Sequence, residues 1–276
     1  MLSSCVSMPI ALNEVTLPDW LDNYIFNQLK AQYCRSNSDM TVIDWTPDKI
    51  LCYLGTYFPR SYAEGYSIFK QYIQSTDIFS VEDSLRLLDF GCGTGGEIIG
   101  IATAIAECCS NIKTLQVKAI DGNQFALNRF DDIKDEFNKR FDLQILSAPS
   151  AIKIDDFYDL SILDHILDDD YHIIVSFKAV CEFVTKQQFE KKNAYEYIAK
   201  IMMPKLADNG LMLLVDVTSK NMIAQEWLPN IMDKGLANAG ALVIARNPYN
   251  NASFVVNHSH QYGDVSKIAW RLIKNK

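Results

Sequence analysis

The chain has 276 residues, of which 49% are hydrophobic and 22% charged, and it carries a formal net charge of −8. That is enough apolar material for a substantial core, in a length between one domain and two large ones. The acidic balance is the reverse of the basic footprint of a general nucleic-acid binder, and no apolar run approaches the roughly 20 residues that span a bilayer.

Residues 18–80 read as helical. Pro18-Asp19 starts a helix whose apolar stripe is Trp20, Leu21, Tyr24, Ile25 and Leu29. Thr46-Pro47-Asp48 offers an N-cap threonine and a first-turn proline, opening a second helix through Ile50, Leu51, Tyr53 and Leu54. Pro59 is expected to interrupt it. A third helix is expected from about Ser61 through Tyr66 and Phe69 to Ile73. Aromatic residues at this spacing read first as core.

Residues 85–101, LRLLDFGCGTGGEIIGI, are the most informative segment. An apolar run ends in Asp89, then Gly91, Gly93, Gly95 and Gly96 crowd the turn before a second apolar-periodic stretch. This is strand, glycine turn, helix. Glycines permit positive φ and let a ligand approach the backbone, and the helix start supplies free N–H groups. There is no Gly-Lys-Ser/Thr ending, so it is not a P-loop, while Gly91, Gly93 and Gly96 also fit a dinucleotide fingerprint. Asp89 decides between ligands: an acid before the glycines repels a pyrophosphate and favours a cationic amino-acid group, as in S-adenosylmethionine. The next strand, Leu115–Ile120, ends in Asp121-Gly122, and an acid there suits a ribose diol.

Strands are expected at 85–90, 115–120, 142–147, 171–176, 210–217, 240–246 and 252–257, with helices at 96–109, 123–138, 182–206 and 222–235. Such alternation means α/β architecture with a largely parallel, Rossmann-like sheet. Asn247 to Asn251 is turn-rich, so the last two strands are expected to form a reversed hairpin. The basic patches Lys186–Lys192 and Lys267–Lys276 read as solvated helix faces, and Asp168 to Asp170 as a solvated cluster. The seven cysteines, Cys5, Cys34, Cys52, Cys92, Cys108, Cys109 and Cys181, are odd in number and without a CxxC. With no basic stretch ahead of the first apolar residues, this predicts reduced thiols in a cytoplasmic protein without a metal centre.

LLDFGCGTGG resembles motif I of the class I S-adenosylmethionine-dependent methyltransferases, and AIDGN resembles their motif II. The resemblance implies seven strands with the last antiparallel. It gives Asp89, Gly91, Cys92, Gly93, Thr94 and Gly95 to the methionine part of the cofactor, and Asp121 to the ribose. Asp155 and Asp156 become candidates for the adenine amino group, and Ser176 a further cofactor contact. More loosely, the segment 53–73, with Pro59-Arg60-Ser61-Tyr62-Ala63, resembles the mitochondrial-type small-subunit ribosomal methyltransferase-like family. That family's C-terminal metal-binding cysteines are missing: no cysteine follows Cys181.

Methyl transfer needs alignment of the acceptor behind the methyl carbon and only sometimes a base. The acceptor belongs beyond the C-terminal strand ends, which makes Phe177 and Lys178 candidates. Tyr62, from a helical cap over 1–80, is another. His258 and His260 share one side of an extended chain and could act as a base or ligate a metal; His258 is a further candidate acceptor contact, and the catalytic residue is left open. Asn247-Pro248-Tyr249 reads as a turn. The expected protein is thus a methyltransferase with a catalytic domain over 81–276. Its acceptor is RNA or a ribonucleoprotein, or a small molecule. The alternative is a non-catalytic S-adenosylmethionine-binding assembly protein.

Overall fold

The computed structural model describes residues 6–7, 14–34, 46–183, 192–221, 225–247 and 251–275. The strands, in chain order, are β1 (Val6–Ser7), β2 (Glu14–Thr16), β3 (Ser84–Phe90), β4 (Thr114–Asp121), β5 (Gln144–Ala151) and β6 (Tyr171–Phe177). They continue with β7 (Leu206–Val217), β8 (Lys220–Asn221), β9 (Glu226–Trp227), β10 (Leu242–Arg246), β11 (Ala252–His258) and β12 (Gln261–Lys274). The helices are α1 (Asp19–Asp22), α2 (Pro47–Gln74), α3 (Gly96–Cys108), α4 (Gln124–Asn138), α5 (Leu163–Ile166), α6 (Val180–Phe183), α7 (Ala194–Met202) and α8 (Leu228–Asn238).

All seven expected strands are present, but the sheet is larger than seven. It holds ten described strands, in the order β1-β10-β12-β7-β6-β3-β4-β5, with β11 paired to β12 and β2 to β11. β5, β4, β3, β6 and β7 run parallel, while β12 lies antiparallel between β7 and β10. The strand order reverses between β3 and β6, which is where a parallel sheet of this kind opens a ligand crevice. The reversed hairpin is therefore β11–β12, not the expected pair at 240–246 and 252–257, which do not pair with each other.

The correction has a physical source. The 267–274 segment was expected as a solvated helix face because of its lysines and Arg271. In the fold Ile268, Ala269, Trp270, Arg271, Leu272 and Ile273 are all buried in a strand flanked on both sides, where a near-continuous apolar run is the rule. Arg271 enters that run because Asp233 and Asn247 bond its guanidinium.

Each face of the sheet buries one core. On one side Leu85, Leu87, Val117 and Ile145 pack against α2, α3 and α4. On the other Leu88, Phe90, Ile120 and Leu214 pack against α7 and α8. The expected break at Pro59 does not occur; α2 runs 28 residues through it. The helix is held by close packing on α3, where a Cβ on Gly100 would stand 2.4 Å from the Tyr62 carbonyl oxygen. Such contact supplies the stability that local propensity lacks. The first expected helix is present, α-helical over 19–22 and π-helical over Asn23–Gln28. The Lys186–Lys192 patch, apart from Lys192, and Pro248-Tyr249 lie outside the described residues.

Candidate cofactor site

The turn after β3 is built on glycine φ values of +80° at Gly91, +51° at Gly93 and +75° at Gly95. It is pinned to the end of β4. The Gly91 and Cys92 amides donate to the Ile120 carbonyl at 2.8 and 3.0 Å. The Gly93 amide donates to Asp121 Oδ2 at 2.8 Å, and the Asn123 amide donates to Asp121 Oδ1 at 2.8 Å. Asn123 in turn caps α4, its Oδ1 accepting from the Phe125 and Ala126 amides. Asp121 thus holds two loops in register. Burial raises its pKa, against the lowering effect of the amides it accepts from.

Behind the turn lies a group of buried acids. Asp89 is fully buried, and its carboxyl meets no cation among the described residues; the side chain beside it is the carboxyl of Glu97. Burial first, then Glu97 and Asp121, drive its pKa well up. Glu97, in the first turn of α3, is pushed up to about 8, chiefly by burial and against the pull of Lys178. Buried acids in proximity cannot all carry charge cheaply, and a cation among them removes the penalty. Glu64 of α2 already has one: Lys178 Nζ lies 2.8 Å from its Oε2, and the Ser266 hydroxyl donates to its Oε1. Lys178, with φ of +56°, directly follows β6.

The expected residues divide by what they touch. Asp89, Gly91, Cys92, Gly93, Thr94 and Asp121 come together at the turn. Gly95 is there too, but a Cβ on it would stand 2.3 Å from the Phe130 ring, so its bareness serves packing. Cys92 and Thr94 are each 2% exposed, and burial drives the Cys92 thiol well up. The Ser176 hydroxyl donates to the Phe90 carbonyl at 3.0 Å, joining β6 to the turn, and Phe177 is buried beside it in sequence. The Ile152 amide donates to the Asp121 carbonyl, so the following loop starts beside Asp121. Asp155 and Asp156 are both exposed there, and Asp156 Oδ1 accepts from the Tyr158 amide at 2.9 Å.

Two candidates are placed elsewhere. Tyr62 is 1% exposed between α2 and α3, where its ring stacks on Tyr66 and its hydroxyl meets Thr103. His258 stacks on Phe26 with ring centroids 5.0 Å apart, and His260 stacks on the same ring at 4.2 Å. The two histidines do share a side, but their ring contacts are with Phe26 and Tyr33, not with the glycine turn. Asn247 is a structural residue: its Oδ1 accepts from the Trp270 amide and from Arg271.

Sequence reasoning missed Glu97, which directly follows the glycines; a carboxyl in a helix's first turn beside them is a signal that could have been weighed. Glu64 and Tyr53 belong to the expected cap as a pocket-facing acid and one of its aromatics, but nothing in the sequence named their partners. The Tyr53 hydroxyl lies 2.7 Å from where a Cβ on Gly93 would stand, and Tyr53 packs with Ile50 and Ala126. The first turns of α2 therefore cross the mouth of the turn and reach α4. Burial and the acids Glu182, Glu97 and Asp121 raise the pKa of this phenol.

No protein-family model and no curated protein sequence matches the chain. Among solved structures it is similar to a TehB-like S-adenosylmethionine-dependent methyltransferase from Corynebacterium glutamicum, at 13% identity over 75% of this chain and 87% of that one, with a TM-score of 0.43. It is similar to a provisionally assigned RNA methyltransferase from Pyrococcus horikoshii, at 11% identity over 94% and 99% of the two chains, with a TM-score of 0.47. A third likeness is to the trans-methyltransferase CalH in complex with SAH, at 12% identity over 84% and 62%, with a TM-score of 0.48. At such scores these likenesses add nothing to what the strand order and the residues themselves say.

Proposed function

We propose that the chain is an S-adenosylmethionine-dependent methyltransferase. The observation that carries this reading is Asp89, a fully buried carboxyl at a glycine turn whose charged neighbours are other acids. With Glu97 and Asp121 it makes an acidic floor that favours a ligand with a cationic amino group and disfavours a pyrophosphate. The α3 N-terminus, which follows the turn directly, suits that ligand's carboxylate. Asp121 reaches the ribose from the end of β4, and Asp155, less engaged than Asp156, is the acid for the adenine side. When bound, the cofactor supplies the methyl group and its sulfonium leaving group; the protein contributes orientation and exclusion of water.

In this reading residues 1–80 are a cap on a catalytic domain over 81–276, and the first turns of α2 are its working part. The acceptor belongs beyond the C-terminal end of β6, on the side of Lys178 and α2. The cations there are already matched to acids, Lys178 to Glu64 and Arg60 to Asp264. That favours a small-molecule acceptor over RNA, whose phosphates need unmatched cations. The loose resemblance to ribosomal methyltransferase-like proteins is the case for RNA. Incubation with methyl-labelled S-adenosylmethionine and cell extract, fractionated into RNA, protein and small molecules, separates the two. Binding of the cofactor without label transfer to any fraction would leave only the non-catalytic alternative. Binding of NAD in place of S-adenosylmethionine would end the whole reading.

A further inference from the structure

Residues 31–34 run along the first turns of α2 and are fastened to them. The Gln32 amide donates to the Leu51 carbonyl at 3.0 Å. The Cys34 amide donates to Thr56 Oγ1 at 2.9 Å, and the Thr56 hydroxyl donates back to the Cys34 carbonyl at 3.1 Å. Gly55 permits this approach, since a Cβ on it would stand 2.4 Å from the Gln32 carbonyl oxygen. Cys52 lies one helical turn before Thr56 and so on the same face. Its Sγ is 3.8 Å from Gln32 Oε1, and the Cys34 thiol is near enough to raise its pKa. Both cysteines are free and partly exposed, whereas Cys92 and Cys109 are buried.

We infer that Cys34 and Cys52 form a reversible redox pair, oxidised by a peroxide to a disulfide that ties residues 31–34 to the lid end of α2. The backbone hydrogen bonds of Gln32 to Leu51 and of Cys34 to Thr56 hold the two cysteine-bearing segments side by side before any bond forms. Burial and the Cys34 thiol push Cys52 up to about 11, which disfavours Cys52 as the first nucleophile. The Cys34 sulfur takes one oxygen from hydrogen peroxide, breaking the O–O bond, and becomes a sulfenic acid while one water leaves. The Cys52 sulfur then attacks it, forming the S–S bond, breaking the S–O bond and releasing a second water. Two thiols lose two electrons and two protons in all, and one peroxide becomes two waters. A small dithiol reverses the step by exchange.

The consequence follows from position. Tyr53 is the next residue after Cys52, and it lies across Gly93. A bond at Cys52 holds the first turns of α2 in the arrangement that covers the turn, so the oxidised protein takes up cofactor more slowly. This second part rests on the cofactor reading above; the bond itself does not.

The test uses the full chain, reduced and then treated with stoichiometric hydrogen peroxide. Remaining thiols are alkylated and the tryptic peptides mapped. The expected product joins peptide 31–35 to peptide 50–60. It disappears on reduction, and in Cys34→Ser it is absent while Cys52 stays alkylatable. A main product linking any other pair, or oxidation confined to separate cysteines, overturns the inference. Stopped-flow mixing with S-adenosylmethionine then compares the two forms, with association expected to slow severalfold on oxidation. An unchanged rate with the link formed would leave the disulfide standing and overturn the lock. Failure of the reduced protein to bind S-adenosylmethionine would instead count against the cofactor reading and leave the peptide map untouched.

Discussion

Asp89 and Asp264 are both buried aspartates, 0% and 5% exposed, and their surroundings are opposite. Asp264, on the β11–β12 hairpin, receives Arg60 Nε and Nη2 at 2.7 Å each, and the Tyr33 hydroxyl at 3.2 Å. Every strong interaction it can make is internal, and it ties α2 to the hairpin. Asp89, at the mouth of the parallel half of the sheet, meets no cation among the described residues, and its charged neighbours are the acids Glu97 and Asp121. A buried acid that is fully paired reads as structure. One left unpaired is a cost the fold carries until something binds.

The largest effect should come from breaking the paired site. Asp264→Ala strands the Arg60 guanidinium and should cost about 3 kcal/mol. That is the low end for a broken buried pair, because part of Arg60 reaches solvent. A urea titration should show a lower midpoint with an unchanged slope, and cofactor affinity should move little. A stability loss within experimental scatter would mean that the pair is only a surface contact.

The unpaired site should behave in the opposite way. Asp89→Ala should weaken S-adenosylmethionine binding by about 1–3 kcal/mol, or about 5–150-fold, while leaving the apo protein at least as stable as before. Calorimetry and thermal unfolding of the same samples check both halves. Normal affinity, or a destabilised apo protein, would place Asp89 with Asp264 as a structural acid.

Acidity sharpens the contrast further. Glu97 sits at about 8 in the fold, against 4.5 as its ordinary value. Above 4.5 the unfolded chain releases this proton and the folded chain keeps it. Stability from this group is therefore complete below 4.5 and falls as pH rises through about 8, where it levels off. The apo protein should lose thermal stability across that window, and Glu97→Gln should flatten the loss. A slope identical in the variant would assign the pH dependence to other groups.

The smallest effect belongs to the lid. Tyr53→Ala removes a contact with Ile50 and Ala126 that is worth about 1 kcal/mol, and uncovers Gly93. Cofactor association should become faster with little change in the unfolding midpoint, as stopped-flow binding would show. Slower association would instead make Tyr53 part of the bound cofactor's surroundings.

Local rules were enough for the parallel half. The run Leu85–Asp89, the glycines and the repeated strand–helix alternation are short-range signals, and each strand they predicted is found. They also placed Asp89 and Asp121 at one turn, because a parallel sheet brings strand ends together in a known order. The reading faltered where an element's meaning depends on its neighbours. Pro59 does not end α2, since α3 packs against the helix across Gly100 and Gly96. The lysine-bearing C-terminus is a central strand because β7 and β10 flank it.

By itself, then, the amino-acid sequence determined the glycine turn, the alternating α/β order and the acids that belong to the turn, because backbone permission and hydrophobic period act over a few residues. Only the tertiary structure decided which acids have partners. Glu64 meets Lys178 across 114 positions of chain, Arg60 meets Asp264 across 204, and Tyr53 reaches Gly93 from a different helix. Burial and pairing are properties of the packed whole. The same residue type, aspartate or tyrosine, becomes core, clamp or part of the glycine turn's surroundings according to what the fold brings against it.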